Sequence, residues 1–205
     1  MRVVIVGQKW LGAEVFKLCA DSGHEIVAVV TPFPYTNPID RLRAAASRRA
    51  VPVLALGKTL DASIMPHGVD VILAAHSFAY IPRPAHDRAK FGALAFHPSL
   101  LPRHRGPSAI DWTIAQGERI TGGTVFKLDD GYDTGPIVVQ DWCHVRPEDN
   151  ASTLWRRELA PMALRLFSRA LDMLQRDDFR LKEQDNSLAT CEPRYVGNAT
   201  RRTSC

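Results

Sequence analysis

The feature that most constrains the fold is an alternation of short β-branched runs with amphipathic segments. Residues 2–6 form such a run, residues 11–22 carry apolar side chains at helical spacing, and residues 25–31 form the next run. A strand, a helix and a second strand in this order make a right-handed βαβ unit, which builds a parallel sheet. The pattern predicts an α/β fold with an open, mostly parallel Rossmann-like sheet and helices on both faces.

The same alternation continues toward the C-terminus. Further strands are predicted at residues 51–56, 69–75, 92–96, 123–128 and 136–142. Further helices are predicted at residues 39–49 and 108–116, with a turn-rich loop at residues 32–38. Asn150 is expected to cap one long final helix, which Pro161 should bend or break. We expect a catalytic domain over residues 1–175 and a partly irregular extension over residues 176–205.

Composition and charge exclude several classes of protein. The chain of 205 residues is 45% hydrophobic, which suits one globular α/β domain. Its net charge of +4 comes from scattered basic residues, so nucleic acid is not a favoured partner. No apolar stretch reaches the length of a membrane span or of a secretory signal. No cysteine pair has CxxC spacing, and we predict a cytoplasmic protein that binds no metal.

The first turn after a strand holds two glycines, Gly7 and Gly12, in G-x-x-x-x-G spacing. A dinucleotide site requires G-x-G-x-x-G and an acidic residue after the second strand, and both are missing here. A nicotinamide-dependent oxidoreductase is therefore the least favoured function. We interpret the turn as a tight connection in which Gly12 allows close packing. The amides at the helix start could also bind an anionic group.

A proline-rich loop, FHPSLLPRHRG at residues 96–106, follows a predicted strand. Ligands of open α/β sheets bind beyond the carboxyl ends of the strands, so His97 should face the ligand. The prolines stiffen the loop and should hold the imidazole in one place. We expect Arg103, His104 and Arg105 to face the other way, toward a solvated or anion-binding surface.

A second polar loop, LDDGYDTGP at residues 128–136, contains three acidic residues and two glycines. A hairpin turn needs fewer acidic residues than this, and the spacing is not that of an EF-hand calcium loop. A carboxylate beside an imidazole is a common means of orienting and charging the ring. The loop is therefore a candidate partner of His97.

Together, HPSLLPRHRG and DDGYDTGPIVVQ resemble the folate-dependent formyltransferase family, most of all the hydrolase domain of 10-formyltetrahydrofolate dehydrogenase. VGQ near the N-terminus and STL before the final helix extend the resemblance over roughly residues 1–175. The resemblance implies the formyltransferase fold and 10-formyltetrahydrofolate as donor. It also implies transfer or hydrolysis of the formyl group through a tetrahedral intermediate.

The resemblance assigns His97 and Asp133 as the catalytic residues. Members of the family also carry an Asn two residues before the His, and Ala95 stands at that position here. Loss of one oxyanion donor typically raises the barrier by about 2.7–4 kcal/mol. A catalytically impaired folate-binding protein is therefore the main alternative to an active enzyme.

The resemblance also suggests the folate-binding residues. Phe78 and Ile81 would form the wall beside the pterin ring, and the backbone of Leu128 and Asp130 would bind the polar edge of the pterin.

The formyl acceptor implied by the resemblance is a small amine or water. Methionyl-tRNA formyltransferases carry a C-terminal β-barrel domain, and little chain remains here after Leu174. tRNA is therefore not the expected partner, and no membrane partner is expected. The oligomeric state stays open.

Overall fold

The structure is a computed structural model that describes residues 1–33 and 39–197. Most of the loop predicted at residues 32–38 lies outside the described residues. Two compact units make up the chain, residues 1–95 and residues 96–205. No helix within the described part of the chain is long and apolar enough to cross a membrane.

Parallel strands form the centre of the first unit. They are β1 (Arg2–Gly7), β2 (Glu25–Pro32), β3 (Val53–Leu56), β4 (Val71–Ala75) and the start of β5 (Ala93–His97), in the order β3-β2-β1-β4-β5. β1 and β4 are almost wholly buried and rich in β-branched residues and leucine, as expected for parallel strands covered on both faces. The prediction of an α/β fold with a mostly parallel sheet is confirmed.

Helices α1 (Lys9–Asp21) and α2 (Arg41–Arg48) pack against each other in the first unit. A Cβ atom at Gly12 would lie 3.0 Å from Cδ2 of Leu42, so this glycine does allow the close packing that we predicted. A third helix, α3 (Arg83–His86), was not predicted.

The start of α1 is bound by a carboxylate of the same unit. Asp40 accepts hydrogen bonds from the amide of Lys9 at 2.7 Å and from the amide of Leu42 at 2.9 Å. One carboxylate therefore caps α2 and occupies an amide at the N-terminus of α1.

The second unit contains an antiparallel hairpin and the remaining helices. The hairpin strands are β6 (Ile120–Lys127) and β7 (Ile137–His144). The helices are α4 (Ala109–Ala115), α5 (Ala151–Leu154) and α6 (Ala160–Gln175), the last two joined by a π-helical turn (Trp155–Leu159).

Both predictions for the final helix are confirmed. The side chain of Asn150 accepts hydrogen bonds from the amides of Ser152 and Thr153, each at 3.0 Å, and caps α5. Regular α-helix is interrupted just before Pro161, whose nitrogen has no proton to donate to the preceding turn.

The last described segment packs along two other parts of the second unit. Lys182 and Ile137 exchange backbone hydrogen bonds of 2.7 and 2.9 Å, and Arg105 forms a parallel bridge with Cys191. Residues 184–192, which we call the C-terminal brace, contain only one short 3₁₀ turn (Asn186–Leu188).

Candidate active site

His97 ends β5, and both nitrogens of its ring face protein atoms. Nε2 lies 2.6 Å from the carbonyl oxygen of His104, and Nδ1 lies 3.5 Å from Oδ2 of Asp133. A carbonyl oxygen can only accept, so Nε2 carries a proton and donates it. The ring is 7% exposed. This single hydrogen bond fixes the ring so that Nδ1 is directed at the carboxylate.

Asp133 lies in the loop between β6 and β7 and is held from two sides. Its φ of 56° is left-handed, a conformation that Asp adopts more readily than most residues. Its Oδ2 accepts from the amide of Gly106 at 2.8 Å, and its backbone carbonyl accepts from Nε2 of Gln184 at 2.9 Å. The structure thus brings together the two residues that the sequence assigned to catalysis.

The other acidic residues of this loop have different surroundings. The carboxylate of Asp129 accepts from the hydroxyl of Thr134 at 2.7 and 2.9 Å and from the amide of Gly131 at 3.0 Å. A Cβ atom at Gly135 would lie 1.9 Å from the carbonyl oxygen of Lys127, so only glycine fits there. Asp129 therefore closes the loop through Thr134, whereas Asp133 faces the imidazole of His97.

Two of the residues assigned to the pterin lie in this loop as well. Leu128 is half-buried, and Asp130 is exposed. They belong to the same unit as His97 and Asp133.

The other two lie in the first unit, after β4. Phe78 is 78% exposed and packs edge-on against His76, with 5.2 Å between the ring centroids. Ile81 is 4% exposed, and its carbonyl accepts a hydrogen bond from Nε2 of His86. The aromatic ring is thus open to a ligand, whereas the aliphatic side chain is part of the core.

The expectation that residues 103–105 face a solvated or anion-binding surface is wrong for two of the three residues. His104 and Arg105 are 1% and 5% exposed, and only Arg103 is exposed. The ring nitrogens of His104 lie 3.1 Å from Glu118 and 3.1 Å from Glu192. The imidazole of His104 is therefore buried between the carboxylates of Glu118 and Glu192.

Arg105 is covered by the C-terminal brace. Its guanidinium donates two hydrogen bonds to Oε1 of Gln184 and one to Oδ1 of Asn186. Burial lowers the pKa of Arg105, and the carboxylates of Asp129 and Asp133 oppose this effect. No motif marks these partners, which lie 79 and 81 residues further along the chain, and the sequence reasoning missed them.

His76, one residue after β4, was also missed. Its φ is 59°, and its Nε2 is buried without a hydrogen-bond partner among the described residues. Burial lowers the pKa of this imidazole, and the positive charge of Lys9 lowers it further. In residues 1–33 and 39–197, no group of three or more His, Cys, Asp or Glu side chains could hold a metal ion.

The fold and the buried His97 that faces Asp133 define an α/β protein with a candidate acid–base site at the end of a strand of its sheet. The chain belongs to the formyl transferase family, whose model, described as "Formyl transferase", matches residues 1–171. The resemblance drawn from the two loop motifs is therefore confirmed. This family membership gives no support to a nicotinamide-dependent oxidoreductase.

Curated relatives of two kinds are similar to this chain. The cytosolic 10-formyltetrahydrofolate dehydrogenase of Xenopus laevis is 33% identical over 202 residues, which are 94% of this chain and 22% of that protein. The methionyl-tRNA formyltransferase of Chlorobium limicola is 29% identical over 217 residues, covering 98% of this chain and 67% of that protein. The chain thus spans about a fifth of the length of the dehydrogenase.

Solved structures show the same fold. Glycinamide ribonucleotide transformylase 1 from Symbiobacterium toebii is 20% identical with a TM-score of 0.72, and the match covers 90% of this chain and 94% of that one. HypX from Aquifex aeolicus, solved in complex with tetrahydrofolic acid, is 22% identical with a TM-score of 0.68. That match covers 96% of this chain and 30% of the HypX chain.

Proposed function

We propose that this chain moves the formyl group of 10-formyltetrahydrofolate from N10 to a small amine or to water. The observation that carries the proposal is the buried His97 with Nδ1 directed at Asp133, in a chain of the formyl transferase family. The names of the dehydrogenase relatives and the tetrahydrofolate complex of the HypX structure support folate as the donor.

The geometry suits proton transfer in such a reaction. Attack of an amine or water on the formyl carbon places negative charge on the formyl oxygen, and the leaving N10 needs a proton. Nδ1 of His97 lies 3.5 Å from Asp133, beyond ordinary hydrogen-bond length, so Nδ1 stays available to a substrate atom. A proton on Nδ1 can stabilise the oxyanion and then pass to N10 as the C–N10 bond breaks. Asp133 can accept the proton that the nucleophile loses.

For the donor, we propose that the pterin binds beside Phe78 and Ile81 and to the backbone of Leu128 and Asp130. The exposed ring of Phe78 supports the first part, because an aromatic face favours stacking with a heterocycle. All four residues lie within residues 1–175, the proposed catalytic domain.

Ala95 supports a second candidate, a folate-binding protein with impaired catalysis. This residue lies in β5 and is buried, and its methyl group cannot donate a hydrogen bond to an oxyanion. Under this alternative, the protein binds 10-formyltetrahydrofolate without turnover, and Ala95→Asn raises the rate.

The test is to mix the protein with 10-formyltetrahydrofolate, with and without a panel of small amines, and to follow the release of tetrahydrofolate. We expect release that His97→Ala abolishes. Calorimetry on the same samples measures binding. Binding without release, followed by a gain of release in Ala95→Asn, would replace the first candidate with the second. If the protein neither binds 10-formyltetrahydrofolate nor releases tetrahydrofolate, both candidate functions are contradicted.

A further inference from the structure

We propose that Gln184 is a positioning residue for Asp133, and that the C-terminal brace completes the candidate active site. The inference rests on the proposed function, because it concerns the same pair of catalytic residues. Gln184 lies beyond residues 1–171, the part of the chain that matches the family model.

The amide of Gln184 is buried, and every one of its hydrogen-bonding positions is used. Nε2 donates to the carbonyl of Asp133 at 2.9 Å and to the carbonyl of Gly135 at 2.7 Å. Oε1 accepts from Nε and Nη2 of Arg105 at 3.0 and 2.8 Å. Two donated and two accepted bonds are the full capacity of a carboxamide.

The partners of Gln184 leave only one orientation for its amide. Rotation by 180° would place NH₂ against the guanidinium of Arg105, which only donates, and the oxygen against two carbonyls, which only accept. Burial makes such mismatches costly. The backbone around Asp133 is thus held by a side chain that is itself held by a buried cation.

The brace also holds the group that orients His97. The amide of His104 donates to Oγ1 of Thr190 at 2.8 Å, and the amide of Arg105 donates to the carbonyl of Thr190 at 2.9 Å. The carbonyl of His104 is the acceptor for Nε2 of His97. One short segment therefore positions both members of the His–Asp pair, through Thr190 on one side and Gln184 on the other.

Loss of the Gln184 amide should change the position of Asp133 rather than the binding of the donor. Asp133 has a left-handed backbone, which persists only while its surroundings impose it. A displacement of about 1 Å in a catalytic group can lower the rate by about 100-fold. The expected signature is a lower kcat with little change in the KM for 10-formyltetrahydrofolate.

Two substitutions test this inference. Gln184→Met removes all four hydrogen bonds at similar size. Gln184→Glu keeps the acceptor for Arg105 and replaces the donor that faces the two carbonyls. We expect each to lower kcat by about 10- to 100-fold. Lys182→Gln is the matched control for Gln184→Glu, because both lower the net charge by one. Lys182 is exposed and lies just outside the brace. Lys182→Gln should retain the wild-type kcat.

A double-mutant cycle separates positioning from general stabilisation. If Gln184 acts through Asp133, the kcat of Gln184→Met combined with Asp133→Asn equals that of Asp133→Asn alone within about twofold. Losses that multiply would overturn the inference. So would a wild-type kcat in Gln184→Glu when circular dichroism shows that it is folded.

A readout without turnover keeps this test independent of the proposed function. The ring ¹⁵N signals of His97, assigned with His97→Gln, should shift in Gln184→Met and in Asp133→Asn, and stay unchanged in Lys182→Gln. If the wild-type protein releases no tetrahydrofolate but these shifts occur, the proposed function fails and the positioning role stands. Unchanged signals in folded Gln184→Met would overturn the positioning role.

Discussion

Two histidines, His76 and His97, leave neighbouring parallel strands at their carboxyl ends, and their surroundings are opposite. His97 donates from Nε2 to a carbonyl and turns Nδ1 toward Asp133. His76 has a left-handed backbone and a buried Nε2 that bonds to nothing in residues 1–33 and 39–197. The partners of His97 come from the loop after β5 and from the loop between β6 and β7, whereas no described residue bonds the buried Nε2 of His76. Position at a strand end therefore does not by itself make an acid–base group.

The largest expected difference between the two histidines is in catalysis. His97→Ala should lower kcat for tetrahydrofolate release by about 10²- to 10⁴-fold, because it removes the group that moves the proton. His76→Ala should change kcat by less than about tenfold, since Nε2 has no hydrogen bond to lose within the described part of the chain. Equal losses in steady-state assays of the two variants would break the contrast.

A smaller effect should come from Asp133, the carboxylate that faces His97. Asp133→Asn keeps the shape and the left-handed backbone but removes the charge, and we expect kcat to fall by about 100-fold. Asp177→Asn is the control, because that residue has the same φ of 56° and is exposed. The steady-state kcat values of Asp133→Asn and Asp177→Asn should therefore differ by about 100-fold. Equal rates would show that the charge of Asp133 has no catalytic role.

The smallest effect concerns stability and belongs to His76. Its pKa in the folded protein lies below 6.5, so the unfolded chain takes up a proton first as the pH falls. The unfolding free energy should therefore decrease as the pH drops below about 6.5, and this part of the decrease should vanish in His76→Gln. Urea unfolding at several values between pH 8 and pH 5 measures it.

The exposed His67 provides the control for that experiment. His67→Gln should leave the acid-side decrease in place. A decrease that persists unchanged in His76→Gln would show that the strained histidine is not its source.

The sequence predicted the strands, the longer helices and the pair of His97 and Asp133, but not the short helix α3 or the side chains that support the pair. Apolar runs, rich in β-branched residues in β1, β2 and β4, located β1 to β5 because burial of parallel strands leaves a direct mark on composition. The two loop motifs led to His97 and Asp133. The role of Gln184 could not be predicted, since it depends on a contact across 51 residues from an irregular segment without periodicity. For the same reason the burial of His104 and Arg105 was missed.

The carboxylate of Asp40 competes with any anion that approaches the start of α1. Its carboxylate already occupies the amide of Lys9 at 2.7 Å. A diffusing phosphate or carboxylate would compete with a group that is tethered to the same chain, at an effective concentration in the millimolar range or above. The first turn therefore discriminates against weakly bound anions by competition, without any residue that repels them.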